Sequence, residues 1–321
     1  MKADLSRLAE ALRSVNSITL ISHVSPDGDT VGAVLALSMA LRQMGKRTVC
    51  YCSDRIPHRL AFLPGGEAFT QNLAEASETE AVFCVDIAAP DRTGAGEVLL
   101  KQGKPVLVLD HHVSNKGYGD LCYVSGCGSA SEPVCALLDE LGIAPDRDMA
   151  DALYTGMVTD TGRFSFPGVT GNTLRMAARC LDAGAAYSDI CRTQFQLRTL
   201  SATRLLGVAI SSLELAEDGR VAIMSVTPQD MAACNGVMEE MEGIVNYAVD
   251  IMGVAIGALL YPSNGRWKVS LRAAEKASVA NLAVKLGGGG HAKAAGGHIT
   301  GTLEAAKAAL LEAIRETNAL G

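Results

Sequence analysis

At 321 residues the chain is about twice the length of a usual domain, so two domains are expected. Hydrophobic residues make up 48% and charged residues 20%, a balance that excludes a disordered chain, while 4% aromatic content argues against a broad stacking surface for single strands. A net charge of -7 excludes electrostatic coating of long nucleic acid, which needs many Lys and Arg to neutralise phosphates, and leaves room for a small phosphate substrate.

The first residues, MKADLSRLAEALRS, place Leu5, Leu8, Ala9 and Leu12 on one face of a helix, unlike the unbroken apolar core of a signal peptide. Four continuous apolar runs follow: SITLISH (17–23), RTVCYC (47–52), AVFCVD (81–86) and PVLVLD (105–110). Such runs suit strands buried on both faces of a parallel sheet, and the helical stretch at 30–45 between the first two gives a β-α-β-α order. From 131 to 190 the pattern is helical, with Ser131 as N-cap and Gly142 as stop in SEPVCALLDELG. Residues 187–210 read as a polar helical connector. Beyond it, 220–227, 250–262 and 267–273 read as strands, the last two joined by a PSNG turn. The expected fold is therefore α/β, divided as 1–190, a helical linker over 191–212, and a smaller α/β domain over 213–321.

No stretch is apolar enough to span a bilayer, because Asn246 and Asp250 interrupt the best candidate at 243–261. The nine cysteines form no C-x-x-C pair and sit mostly among apolar neighbours, which points to reduced thiols and a cytoplasmic chain. Oligomeric state is not encoded in any of these patterns, and a homo-oligomer stays open.

Ligands of a parallel sheet bind beyond the carboxyl ends of its strands. There the first run ends in His23, followed by Asp27 and Asp29 flanking Gly28 before a helix; the third ends in Asp86; the fourth ends in Asp110, His111 and His112. Asp160 closes a helix, where the macrodipole disfavours a negative charge and calls for a positive partner, Arg163 or a metal. Asp86 alone would suit a cap or a salt bridge to Arg92. Taken together, these carboxylates would repel one another unless cations held them, and mixed imidazole and carboxylate donors suit Mn2+, with Mg2+ or Zn2+ behind it. Far downstream, KLGGGGHAKAAGGH brings Gly288, Gly289 and Gly290 just before His291, a run whose backbone amides could approach an anion, and Arg272 ends the preceding strand with a guanidinium suited to phosphate.

SHVSPDGDTVGA, VDIAAPDR, LDHHVSN and TDTGRFSF resemble, in order and spacing, the four motifs of the DHH phosphoesterase superfamily, and GGGGHAKAAGG resembles the glycine-rich signature of its DHH-associated domain. The two-domain layout is similar to that of bacterial nano-RNases that also act as phosphatases of 3'-phosphoadenosine 5'-phosphate (pAp). The resemblance implies one Mn2+ held by His23, Asp27 and Asp86 and another by Asp29, Asp86, His111 and Asp160, with Asp86 as the bridge. It further implies that Asp110 orients the histidines, that His112 faces the scissile phosphate, and that Arg272, Gly288, Gly289, Gly290 and His291 grip the substrate across a cleft between the domains. Attack by a hydroxide activated by both metals is the implied chemistry. Short RNA and pAp are the implied substrates. Cyclic di-AMP and linear pApA are an alternative that the motifs do not separate from them, and a nucleotide-binding regulator is the non-enzymatic one.

Overall fold

In a computed structural model, residues 3–274 and 276–321 are described, and they form two compact units, Met1–Leu197 and Arg198–Gly321. The first unit is built on a wholly parallel six-stranded sheet. Its strands are β1 (Ser17–Ile21), β2 (Arg47–Tyr51), β3 (Phe69–Thr70), β4 (Ala81–Val85), β5 (Val106–Asp110) and β6 (Leu121–Val124), in the spatial order β3-β2-β1-β4-β5-β6. The order reverses between β1 and β4, and the crevice at such a reversal is where ligands of doubly wound sheets sit. Strand register brings Ile21 beside Cys84 and Val85 beside Leu109, so His23, Asp86 and Asp110 emerge side by side there.

The helices of this unit are α1 (Leu5–Ser14), α2 (Gly28–Gln43), α3 (Leu73–Ala76), α4 (Ser131–Leu141), α5 (Arg147–Asp160), α6 (Gly171–Asp182) and α7 (Tyr187–Cys191). Two apolar clusters cover the two faces of the sheet, one containing Leu20, Phe83, Leu107 and the inner sides of α2, α4 and α5, the other containing Val49, Tyr51, Val82 and Val108. This burial on both faces is why the strands read as unbroken apolar runs. Three details differ from expectation. The β4 to β5 connection is a 3-10 stretch over Pro90–Lys101, the short strands β3 and β6 carry too few residues to show a pattern, and Ser131 lies inside the first turn of α4 with Ala130 at the cap. Gly142 does end α4, in a left-handed conformation.

The second unit carries β7 (Glu214–Ala216), β8 (Val221–Ser225), β9 (Ile256–Ser263), β10 (Arg266–Ala273), β11 (Gly289–Gly290) and β12 (Ala294–Ile299), in the order β11-β12-β10-β9-β8-β7. Only β8 and β9 run parallel. Its helices are α8 (Leu200–Ser211), α9 (Pro228–Ala233), α10 (Asn246–Val249), α11 (Ala280–Lys285) and α12 (Leu303–Glu316), and a core of its own includes Ile256, Leu260, Leu271, Leu282 and Leu310. The PSNG turn joins β9 to β10 with Asn264 and Gly265 both at positive φ, as a two-residue hairpin requires, whereas β9 starts at Ile256 and not at residue 250. No helix of the described residues is long and apolar enough to cross a membrane, and all nine cysteines are free, seven of them buried.

Candidate metal centre

His23 leaves the end of β1 with its Nδ1–H donated to the carbonyl of Val24 (2.8 Å). That bond fixes the tautomer and turns Nε2 inward, 3.4 Å from Asp86 Oδ2 and 3.7 Å from Asp27 Oδ2. His111 repeats the device. Its Nδ1–H donates to the Cys127 carbonyl (3.0 Å), and Nε2 faces Asp160 Oδ2 (3.3 Å), Asp86 Oδ1 (3.4 Å) and Asp29 Oδ2 (4.0 Å). His112 is held the other way round, with Nδ1 donated to Asp110 Oδ1 (2.8 Å) and a side chain about one third exposed. Asp110 Oδ1 also accepts the amides of His111 and His112, so this carboxylate orients the His112 ring and the backbone of the pair, while the His111 ring is set by Cys127 instead.

Asp27 caps α2, its carboxylate accepting the amides of Asp29 and Thr30. Asp29 is buried and its carboxylate is clamped by the start of α4: Ala130 N–H donates to Oδ2, and Ser131 N–H (3.0 Å) and Oγ–H (2.6 Å) donate to Oδ1. The helix N-terminus thus steadies a buried carboxylate. For Asp160, the positive partner is His111; Arg163 lies over the Phe195 ring, 5.2 Å from its centre. Arg92 likewise does not serve Asp86, but donates to the Val24 carbonyl (3.2 Å) beside His23.

Three overlapping sets, His23 with Asp27 and Asp86, Asp29 with His111 and Asp160, and Asp86 with His111 and His112, each bring their donor atoms within 4.8 Å of one another. Without a cation this arrangement is electrostatically uncomfortable. Burial, reinforced by Asp86, raises Asp29 to about 7, and burial with the neighbouring Asp29 raises Asp160 to about 8. Burial opposes a charge on His23 and His111, but the carboxylates around them prevail and raise both to about 11. The sharpest sign of a missing partner is Asp86 Oδ1, buried and without a hydrogen-bond donor among the described residues although Asp86 belongs to two of the three sets. Its approach to His111 lacks hydrogen-bond geometry. Divalent ions, one beside each inward-facing imidazole, would satisfy the orphan oxygen and both rings, so the donor set fits the expected metals.

In the second unit two of the glycines serve a packing purpose that their sequence does not announce. A Cβ on Gly288 would meet the Gly296 carbonyl at 2.0 Å and one on Gly290 the Ala295 Cα at 2.5 Å, so both are required for close packing of β11 on β12. The amides of Gly288 and His291 already donate to the carbonyls of Ala283 and Ala294. Gly289 has open space, His291 is exposed, and half-buried Arg272 donates to its neighbour's carbonyl at Leu271 while burial lowers its pKa. Ser131, the Cys127 carbonyl and Asn115, whose side chain donates to Asp110 Oδ2 (2.7 Å), were not legible as site residues, since serine, a main-chain oxygen and a turn asparagine carry no metal-type signature.

The DHH family, N-terminal domain model matches residues 17–157, and the DHHA1 domain model matches 222–319. Among curated relatives, the bifunctional oligoribonuclease and PAP phosphatase NrnA of Thermus thermophilus is 32% identical over 312 residues, covering 96% of this chain and 93% of the relative. The Bacillus subtilis protein of the same name is 26% identical over 304 residues, 93% of each. A solved exopolyphosphatase-related protein from Bacteroides fragilis superposes with a TM-score of 0.92 at 26% identity, covering 97% of this chain and 95% of that one. With both domain models in place and a relative matched over nearly its whole length, the chain belongs to the DHH family of phosphoesterases.

Proposed function

We propose that this phosphoesterase uses two Mn2+ ions to hydrolyse short oligoribonucleotides to mononucleotides and pAp to AMP. The observation that carries the reading is that His23, Asp27, Asp29, Asp86, His111 and Asp160 fall into linked donor sets in which Asp86 keeps one buried oxygen unpartnered. Full-length similarity to relatives named as oligoribonucleases and PAP phosphatases supports the substrate class. In this reading His23, Asp27 and Asp86 hold one ion, and Asp29, Asp86, His111 and Asp160 the other. When bound, the ions would supply Lewis acidity to the phosphoryl oxygens and a nucleophile at neutral pH.

The side chains do the rest. His112, its Nδ1 committed to Asp110, keeps Nε2 available to a phosphoryl oxygen, and the buried carboxylate stabilises the imidazolium as negative charge develops on the phosphate. Arg272, the glycines at 288–290 and His291 would hold the nucleotide, with Gly289, the glycine with open space, as the point of closest backbone approach. Free cysteines and the absence of a membrane-crossing helix among the described residues accord with a cytoplasmic setting.

The test is a substrate panel of pAp, short RNA, linear pApA and cyclic di-AMP, run with Mn2+, Mg2+ and Zn2+. Phosphate release from pAp and mononucleotides from short RNA, both highest with Mn2+, are expected. Cleavage confined to cyclic di-AMP, or turnover undiminished by chelation, would overturn the reading.

A further inference from the structure

Of the six proposed metal ligands only Asp86 has a left-handed backbone, with φ +62. Aspartate tolerates that region better than most residues, yet it persists only where the surroundings over-determine it. Asp86 follows the last residue of β4, and its own amide continues the ladder by donating to the Leu109 carbonyl (2.9 Å). What turns the chain immediately afterwards is the fixing of the next carbonyl, that of Ile87. Tyr118 Oη–H donates to it at 2.9 Å and Asn115 Nδ2–H at 3.3 Å.

The Asn115 amide is itself locked in one orientation. Its Oδ1 accepts the Gly117 amide (2.8 Å), its Nδ2 also donates to Asp110 Oδ2, and its backbone N–H donates to the His112 carbonyl (3.1 Å). The loop that follows the Asp110-His111-His112 triplet therefore reaches back and grips the residue after Asp86. Relaxation of Asp86 to an extended φ would swing its Cα–Cβ bond, and with it a carboxylate that now stands 3.4 Å from both His23 Nε2 and His111 Nε2.

We propose that Asn115 and Tyr118 are positioning residues that hold the Ile87 carbonyl, keep Asp86 left-handed and thereby aim its carboxylate between the two inward-facing histidines. This deepens the metal-dependent reading and rests on it. Neither residue belongs to the donor sets; their effect passes through the shape of the ligand set.

Tyr118→Phe removes one hydroxyl and keeps the ring; Asn115→Ala removes the other donor. Mn2+ affinity and stoichiometry are measured by titration calorimetry, beside the melting temperature of the metal-free proteins and KM for pAp. A fall in Mn2+ affinity of roughly tenfold in Tyr118→Phe and up to about a hundredfold in the double variant is expected, the range seen when partners of metal ligands are lost. In Tyr118→Phe, whose hydroxyl bonds only the Ile87 carbonyl, KM at saturating Mn2+ should stay as in the unmodified protein. Unchanged Mn2+ affinity in folded Tyr118→Phe overturns the proposal, as does a lower metal-free melting temperature with intact affinity, the signature of a purely structural role. An unmodified protein that binds no divalent ion removes the metal reading itself, and the brace with it.

Discussion

At the scale of single residues, the site is a set of groups whose protonation is wrong for a metal until the metal arrives. With His23 and His111 raised to about 11, both are protonated near neutral pH in the metal-free protein, and Asp160, at about 8, is largely neutral. Metal binding must displace those protons, so affinity rises with pH. Stability of the metal-free protein runs in the opposite direction. The two histidines hold protons more tightly folded than unfolded, so their contribution is complete below about 6.5 and is lost as pH rises toward about 11. Asp29 and Asp160 act with the same sign, their contributions disappearing by about 7 and about 8. Between pH 6 and 9 the melting temperature of the metal-free protein should therefore fall relative to that of the Mn2+-loaded protein, and the gap should widen. Scanning calorimetry with and without chelator measures it, and a constant gap contradicts the assignment. His111→Ala and Asp86→Ala should each remove metal-dependent hydrolysis while the far-UV circular dichroism spectrum stays native; retained turnover in either counts against the ligand set. These residues were legible in the sequence as a set, because so many carboxylates and imidazoles gathered at one sheet edge would repel without cations, although each alone had an ordinary alternative. The Cys127 carbonyl that orients His111 was not, because a main-chain oxygen is the same whatever side chain it accompanies.

Among elements, the decisive contact is that of α2 with α5. Asp29 lies in the first turn of α2 and Asp160 ends α5, so the two carboxylates share His111 only if the helices nearly touch. Glycines permit it. A Cβ on Gly32 would stand 2.2 Å from the Ala152 carbonyl oxygen, one on Gly28 2.4 Å from Thr159 Oγ1, and one on Gly156 2.0 Å from Ser131 Oγ and 2.6 Å from Asp29 Oδ1. Gly32→Ala meets backbone that cannot step aside, and should destabilise the protein by about 1–3 kcal/mol and reduce Mn2+ affinity by separating the helices. Gly207→Ala is the matched control. It lies within α8 with nothing near its Cβ, and a helix gains up to about 1 kcal/mol from that change. Chemical denaturation of both variants beside the parent protein checks the contrast, and a neutral Gly32→Ala would mean that the helices have room to spare. The strands were readable as apolar runs and α2 as a helix, but the glycine spacing that sets their separation became meaningful only once α5 was seen to lie against α2.

For the whole molecule, chemistry and recognition are expected to divide between two units, each with its own sheet and core. The first was the more legible, since its buried parallel strands announce themselves and deliver polar ends at a topological reversal. The second was legible mainly through its glycine run, and the physical reason inferred for that run was incomplete: Gly288 and Gly290 are demanded by β12 packing, which leaves Gly289 and the exposed ring of His291 as the parts free to meet a ligand. If the second unit contributes binding without chemistry, its loss must depend on how much of the substrate it can hold. His291→Ala should then raise KM for pAp and short RNA at least tenfold, about 1.4 kcal/mol of binding, while hydrolysis of a small artificial phosphodiester that offers only the reacting group changes little. Mn2+ affinity should not move, because His291 belongs to none of the converging donor sets. Equal losses on both substrate classes would assign His291 to the reaction itself, and unchanged KM on both would leave the glycine loop with its packing role alone.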